Sequence, residues 1–324
     1  PHGIRQGLGA QGVRRRRPPG WPRPPLTLAA GPQARTGVPR DSPGLGYGSL
    51  GGPNDDGSYS CAMSETPEGA VLATDHALAL RLVTECGDLA QQMHAAGVDT
   101  EYKSSLSDVV TAADRACEAL VVSVTQQERS SDGVLGEEGA SLRGTSGRRW
   151  VIDPVDGTHN FTMGIPYWCS ALALEGSDGA LLGAVYQPST AEVWLGGAGA
   201  PTTRNGVPVA ALVPRRLDEC VLATYLHPAT LRDPNLAEPW FAIVGDAATA
   251  RMFGSGSCDL ASVASGRMDL WVQHSTAEWD WLPGKALVDA AGGRTAVVRH
   301  RGHTWHIAGN PRAVGDVLDV LRLS

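Results

Sequence analysis

One segment constrains this chain more than any other: Trp150–Val151–Ile152–Asp153–Pro154–Val155–Asp156–Gly157–Thr158–His159–Asn160–Phe161. A short apolar strand ends in two carboxylates three residues apart. Pro154 fixes its own φ and stiffens the turn between them, and Gly157 lets the chain reverse. Two acids at a strand end can share hard divalent cations, because Mg²⁺ prefers carboxylate and carbonyl oxygens. Gly157 and Thr158 then offer backbone N–H groups where a helix starts, and such a start binds phosphate. Taken alone, the same residues also fit an Asp-rich β-turn with a helix cap.

Three further segments carry acids. Gly136–Glu137–Glu138–Gly139 follows a strand ending at Leu135. By itself it is a solvated acidic turn; beside Asp153 and Asp156 it completes a metal site. Trp279–Asp280 precedes Trp281–Leu282–Pro283–Gly284 and an apolar-periodic helix, so Asp280 stands where an N-cap would, with Pro283 in the first turn. Capping accounts for that acid, and a helix start between two tryptophans is also a rigid place for a ligand. Thr111 to Asp114 has the spacing of a capping box, which is compatible with a functional role. Lys103 and Lys285 are the chain's two lysines. Where arginine is the default cation, Lys103 marks a place for a compact point charge.

Around these segments the pattern predicts helices over Val71–Met93 and Asp108–Gln127, and a strand over Asp132–Leu135. From Tyr167 to Trp194, apolar stretches alternate with turns at Ser177–Asp178–Gly179 and Gln187–Pro188–Ser189, an antiparallel meander. Strands at Val221–Tyr225, Arg251–Phe253 and Met268–Val272 mix with helices at Asp259–Ala264, Leu282–Ala291 and Ala313–Leu321. No strict βαβ repeat emerges, so the expected class is α+β with helices layered on sheets. Gly196–Gly197–Ala198–Gly199 lacks the lysine of a P-loop and reads as a hairpin turn. His300, His303 and His306 read as surface histidines near a turn.

Composition narrows the function. At 324 residues, 42% hydrophobic and 19% charged, the chain fits a globular protein with a sizeable core. No apolar run is long enough to predict a membrane-spanning helix. The six cysteines form no C-x-x-C pair and suit buried thiols in a reducing cytoplasm. Residues 1–60 hold 8 Arg against 3 Asp, and the remainder holds 19 basic against 31 acidic residues. That acidic body argues against nucleic-acid binding and suits the gathering of divalent cations. Residues 1–60 also hold 10 of the 22 prolines and 13 of the 40 glycines, without apolar periodicity. Residues 1–62 are therefore expected to be disordered and upstream of a catalytic domain over 63–324 that begins at Met63.

The four acidic segments, in this order, resemble the inositol monophosphatase family. Its signature has a G-E-E turn, then W-[VI]-[IL]-D-P-[ILV]-D-G-T-x-N-[FY], then W-D at the head of a helix ending in A-G-G, here Ala291–Gly292–Gly293. The resemblance spans roughly residues 70–322 and implies a layered αβαβα sandwich. It also implies two to three Mg²⁺ ions and hydrolysis of a small phosphate monoester by a metal-activated water, with lithium sensitivity. By similarity, Glu137, Asp153 and the Val155 carbonyl hold one ion; Asp153, Asp156 and Asp280 hold a second; a third lies near Glu137. Asp114 and Thr158 would orient the attacking water and take its proton. Gly157 and Thr158 would meet the phosphate, with Lys103, Gly254, Ser255, Gly256 and Gln273 lining the substrate pocket. Many members carry a Glu where this chain has Gln273, which puts inositol itself in question. Inositol monophosphate or a similar polyol or sugar phosphate is the expected substrate; histidinol phosphate, fructose 1,6-bisphosphate and adenosine 3′,5′-bisphosphate are rivals. A non-catalytic binding scaffold is the alternative of another class, and homodimers are usual in the family.

Overall fold

The structure, a computed structural model, describes residues 67–96, 100–102 and 109–323. The expectation about residues 1–62 falls outside the described residues, and so does Lys103. The chain enters through α1 (Pro67–Ala96), β1 (Thr100–Tyr102), β2 (Val109–Thr111) and α2 (Ala112–Glu128). The helix predicted from Asp108 thus starts later. Val109 and Val110 are β-branched and pair antiparallel with Tyr102 and Glu101. Thr111 then caps α2 with both bonds of a capping box to Asp114.

Next come β3 (Gly133–Gly136), β4 (Ser141–Leu142), β5 (Arg149–Asp156) and the short α3 (Thr158–Thr162). The predicted meander follows as β6 (Cys169–Gly176), β7 (Gly179–Gln187), β8 (Glu192–Gly197), β9 (Ala200–Arg204) and β10 (Val207–Pro208). These strands form one sheet in the order β10-β9-β8-β7-β6-β5-β3-β4, in which β3 and β5 run parallel. The second half holds β11 (Val221–Thr224), α4 (Pro234–Asp246), β12 (Thr249–Arg251), α5 (Gly256–Ala264) and β13 (Leu270–His274). It continues with α6 (Glu278–Ala290), β14 (Arg294–His300), β15 (His303–Gly309) and α7 (Pro311–Leu323). Their sheet has the order β12-β11-β13-β15-β14, with β11 parallel to both β12 and β13.

Period-two alternation sorts the side chains into layers. In β5, Trp150 and Ile152 join a core with Leu82 and Cys86 of α1 and Val121 of α2, whereas Val151 faces a second core. Leu172 and Leu174 of β6 repeat the first choice, and Ala171 and Ala173 the second. The second core also takes Leu260 of α5, Leu287 of α6, and Ala223, Trp271 and Ala308 from the other sheet. Leu222, Leu270, Val272 and Ile307 of that sheet face a third core with Ile243 of α4 and Val314 and Val317 of α7. Helices α1 and α2, a sheet, α5 and α6, a sheet, and α4 and α7 therefore stack as αβαβα. Of the cysteines, Cys86, Cys117, Cys169, Cys220 and Cys258 are buried free thiols.

Two readings need correction. Asp280 is not the N-cap of α6: the helix begins at Glu278 after Ala277, which puts Asp280 third in the first turn. His306 is not a surface residue, because it sits in β15 and is buried with its ring 5.0 Å from that of Trp281.

The middle layer is tight where it bears on the site. A Cβ on Gly183 of β7 would lie 2.1 Å from the Pro283 carbonyl oxygen in α6. Gly183→Ala should therefore lower stability by about 1–3 kcal/mol through overpacking, read as a drop in the midpoint of thermal unfolding; an unchanged midpoint would show that α6 can move away freely.

Candidate metal centre and substrate cleft

Asp153 and Asp156 are three residues apart, a spacing that sends side chains to opposite faces of a regular strand. The ladder to β6 resolves this. Asp153 pairs with Ala171 and Asp156 with Cys169, so three steps on β5 match two on β6, and the register shifts between them. The extra residue is a β-bulge, a device that re-aims side chains. Pro154 lies inside it and has no N–H to lose, while its carbonyl accepts a 2.6 Å bond from the Ser170 hydroxyl. Both carboxylates thereby turn toward the first turn of α6. Asp153, Asp156 and Asp280 each offer an oxygen within 4.8 Å of the other two.

Asp153 and Asp156 are 2% and 6% exposed, and Asp280 is half-buried. Asp153 accepts from the Val155 N–H at 3.1 Å. The Asp156 carboxylate lies across the start of α5, accepting from the Gly256 N–H at 3.2 Å and from the Ser257 N–H. Ser255 is the α5 N-cap. A carboxylate at a helix N-terminus meets unpaired N–H groups and the positive end of the dipole.

These contacts do not balance the cost of crowding. Burial, then the charges of Glu137, Asp156, Asp280 and Asp114, push the Asp153 carboxyl well above the usual carboxylate range. Burial raises Asp156, against the bonds from Ser257, Ser255 and Gly256. Burial, followed by the charges of Asp156 and Glu137, pushes Asp280 up to about 8. The charged neighbours acting on Asp153 and Asp280 are other acids. An all-oxygen, anionic, rigidly held donor set short of cations fits Mg²⁺. It lacks the histidine nitrogens and thiolates that zinc sites usually add to carboxylate oxygens.

Apart from Lys103, the remaining expected residues lie around this centre. The Asp114 carboxylate accepts from the Thr111 N–H and hydroxyl at 2.8 and 2.6 Å, and its charge reaches Asp153. The Thr158 hydroxyl donates to the Val155 carbonyl at 3.0 Å. Gly157 has a left-handed φ of 94°, and a Cβ there would come within 3.2 Å of the Gly254 oxygen, Ser255 and the Tyr167 oxygen. Gly254, with a φ of 88°, completes this close approach of two loops. A cleft of about 430 Å³ opens above, lined by Glu137, Asp156, Gly157, Thr158, His159, Gly254, Ser255, Gly256, Gln273 and Asp280.

Five lining residues escaped the sequence reading: Asn160, Tyr225, Met252, Phe253 and Asp259. The Asn160 amide nitrogen donates to the Tyr167 and Phe253 carbonyls, both at 2.7 Å. Tyr167 donates through its hydroxyl to Asp259 at 2.7 Å. Asn160 stood inside the quoted motif as a polar residue beside buried Phe161, which was a usable signal. Met252–Phe253 ahead of Gly254 was a second, an apolar pair running into a glycine turn.

The model of the inositol monophosphatase family matches residues 72–317. The inositol-1-monophosphatase of Rhizobium meliloti is 35% identical over 190 residues, 58% of this chain and 71% of that protein. The Nus factor SuhB of Escherichia coli is 30% identical over 257 residues, 76% of this chain and 94% of that protein. Among solved structures, the extragenic suppressor protein SuhB of Bartonella henselae superposes with a TM-score of 0.69 at 25% identity, covering 77% of this chain and 98% of that one.

Three like charges in one place make a two-sided prediction. In EDTA, Asp280→Asn should raise the thermal midpoint, since it removes repulsion and the cost of a buried carboxylate, by at least the about 1.4 kcal/mol that one pKa unit is worth. In millimolar Mg²⁺ the same variant should lose most of the stabilisation that the unaltered chain gains. Equal Mg²⁺ responses would remove Asp280 from the metal centre.

Proposed function

The chain belongs to the inositol monophosphatase family, and from that premise we propose that it is a Mg²⁺-dependent phosphatase hydrolysing a small phosphate monoester. The observation that carries this reading is the buried convergence of Asp153, Asp156 and Asp280. With no cation to hold, such a cluster costs stability and returns nothing. That cost also weighs against a purely non-catalytic scaffold, the alternative raised by the sequence, toward which a relative named as a Nus factor also points.

When bound, Mg²⁺ supplies positive charge that lowers the pKa of a nearby water and offsets charge on phosphate oxygens. Asp153, Asp156 and Asp280 would hold it, with Glu137 and the Val155 carbonyl as further oxygen ligands. The chain's own residues do the rest. The Thr158 hydroxyl donates a hydrogen bond to the Val155 carbonyl, which leaves its lone pairs free to accept a hydrogen bond from the attacking water. Asp114, fixed by Thr111, is the candidate base for the water's proton. Gly157 and Thr158 line the cleft, where their backbone N–H groups would suit phosphate oxygens. We place the enzyme in the cytoplasm, on the five buried free thiols among the described residues.

Asp153→Asn should lower Mg²⁺-dependent phosphate release by about 10³-fold or more, the loss of several kcal/mol of charge stabilisation. Near-normal turnover would exclude its role. Thr158→Ala should slow release by about 10²-fold with circular dichroism unchanged; unaltered kinetics would take Thr158 out of the mechanism.

A further inference from the structure

We propose that Asn160 is a positioning residue of the metal centre: its amide holds the start of α5 in the place from which α5 orients the Asp156 carboxylate. The inference rests on the phosphatase reading and adds to it a residue that bonds to backbone carbonyls rather than to the clustered acids. Two stretches of chain, 156–160 and 253–257, are linked twice. At one end the Asp156 carboxylate accepts from the Gly256 N–H at 3.2 Å and from the Ser257 N–H. At the other the Asn160 amide nitrogen donates to the Phe253 carbonyl at 2.7 Å. The two links close a small ring that contains Gly157 and Gly254, both with left-handed φ. A Cβ on Gly157 would lie 3.2 Å from the Gly254 oxygen and from Ser255, and one on Gly254 would lie 3.2 Å from the Asn160 amide nitrogen. Packing this close has no slack, so a displacement at one link is passed to the other.

A second arm leaves the same nitrogen. It donates to the Tyr167 carbonyl at 2.7 Å, and the Tyr167 hydroxyl donates to Asp259 in the first turn of α5 at 2.7 Å. Helix α5 is thus held at Phe253 before its start and at Asp259 within it, by links that meet at Asn160. The hub itself is anchored: the next residue, Phe161, is fully buried in the core with α1 and α2, and its ring lies 4.8 Å from that of Trp168. An amide suits the place because one neutral nitrogen offers two N–H donors to two carbonyls. A carboxylate would present only acceptors to them and add charge beside the acids. Asp156 depends on this backing. It is buried among like charges, and the N–H groups at the start of α5 are what hold its oxygens against them. Released from Asn160, the start of α5 can shift, and repulsion then turns Asp156 away from Asp153 and Asp280.

The test measures the Mg²⁺ dissociation constant by titration calorimetry, and the thermal midpoint in EDTA, for the unaltered full chain, Asn160→Ala, Asn160→Ser and Ile243→Val. Asn160→Ala removes both bonds and should weaken Mg²⁺ binding by about tenfold, the scale on which partners of metal ligands act. Asn160→Ser keeps one donor and should also weaken binding; it carries the comparison if Asn160→Ala does not fold. Ile243→Val trims the third core, away from the acids, and should lower the midpoint while leaving the dissociation constant unchanged. A merely structural loosening would move the Asn160 variants and Ile243→Val alike. Mg²⁺ dissociation constants of the folded Asn160 variants equal to that of the unaltered chain, or an equal loss of affinity in Ile243→Val, overturn the inference and leave the phosphatase reading standing. Absence of Mg²⁺ binding by the unaltered chain overturns the metal centre, and this inference with it.

Discussion

Mutual repulsion among Asp153, Asp156 and Asp280 is the constraint to which the surrounding structure answers. Three carboxylates whose oxygens lie within 4.8 Å of one another would separate in a loose chain. Each is therefore anchored differently. Asp153 and Asp156 are aimed by a bulge in a strand buried on both faces. Asp156 is further held by the first-turn N–H groups of α5. Asp280 belongs to the first turn of α6, and a bond to the Ala277 N–H helps to fix its carboxylate. The acids come from both a sheet and the middle helical layer, so the centre exists only where those layers meet.

That layer is built for closeness. Gly284 of α6 faces α5, where a Cβ would come within 2.3 Å of Leu260 Cβ, and Gly183 sets the approach of α6 to β7. The sheet face beneath offers Ala171 and Ala173 in place of the Leu172 and Leu174 it shows to α1 and α2. Small residues on one face and large ones on the other let the same strands pack one helical layer tightly and the other through bulky side chains. The price is paid in burial of like charge, a cost that a bound cation would offset.

Much of this was legible in the sequence because it is local. Binary alternation gave the meander, and the D-P-x-D-G segment marked the site by breaking the pattern of the strand that carries it. The start of α2 was misplaced because Val109 and Val110 pair with β1, a contact that no helical window contains. Asp280 was set at the N-cap because Pro283 suits a first turn, yet the helix accommodates Pro283 one turn further in. Helix α4 went unread although Asp233 and Pro234 form an N-cap and N1 pair, because Pro239 breaks the expected interior. His306 was read as exposed from its polarity, whereas β15 lies between strands and Trp281 covers its ring. The cleft's apolar wall was the least legible part: Tyr225 and Met252–Phe253 converge only through the parallel pairing of β11 and β12.

That division separates chemistry from choice. The three clustered acids come from β5 and α6, and the loop at Gly254–Gly256 closes on them through Gly157 and Asp156. The apolar wall and Gln273 come from the strand ends of the other sheet. Among the described residues, Tyr225 and Gln273 make no hydrogen bond to the three acids, and the Phe253 carbonyl is bonded to Asn160 rather than to any of them. Changes at the wall can therefore alter the cleft while the charge balance at the acids is left intact. A family with one metal chemistry can then serve many phosphate esters, since the costly element, buried like charge, is kept apart from the element that varies.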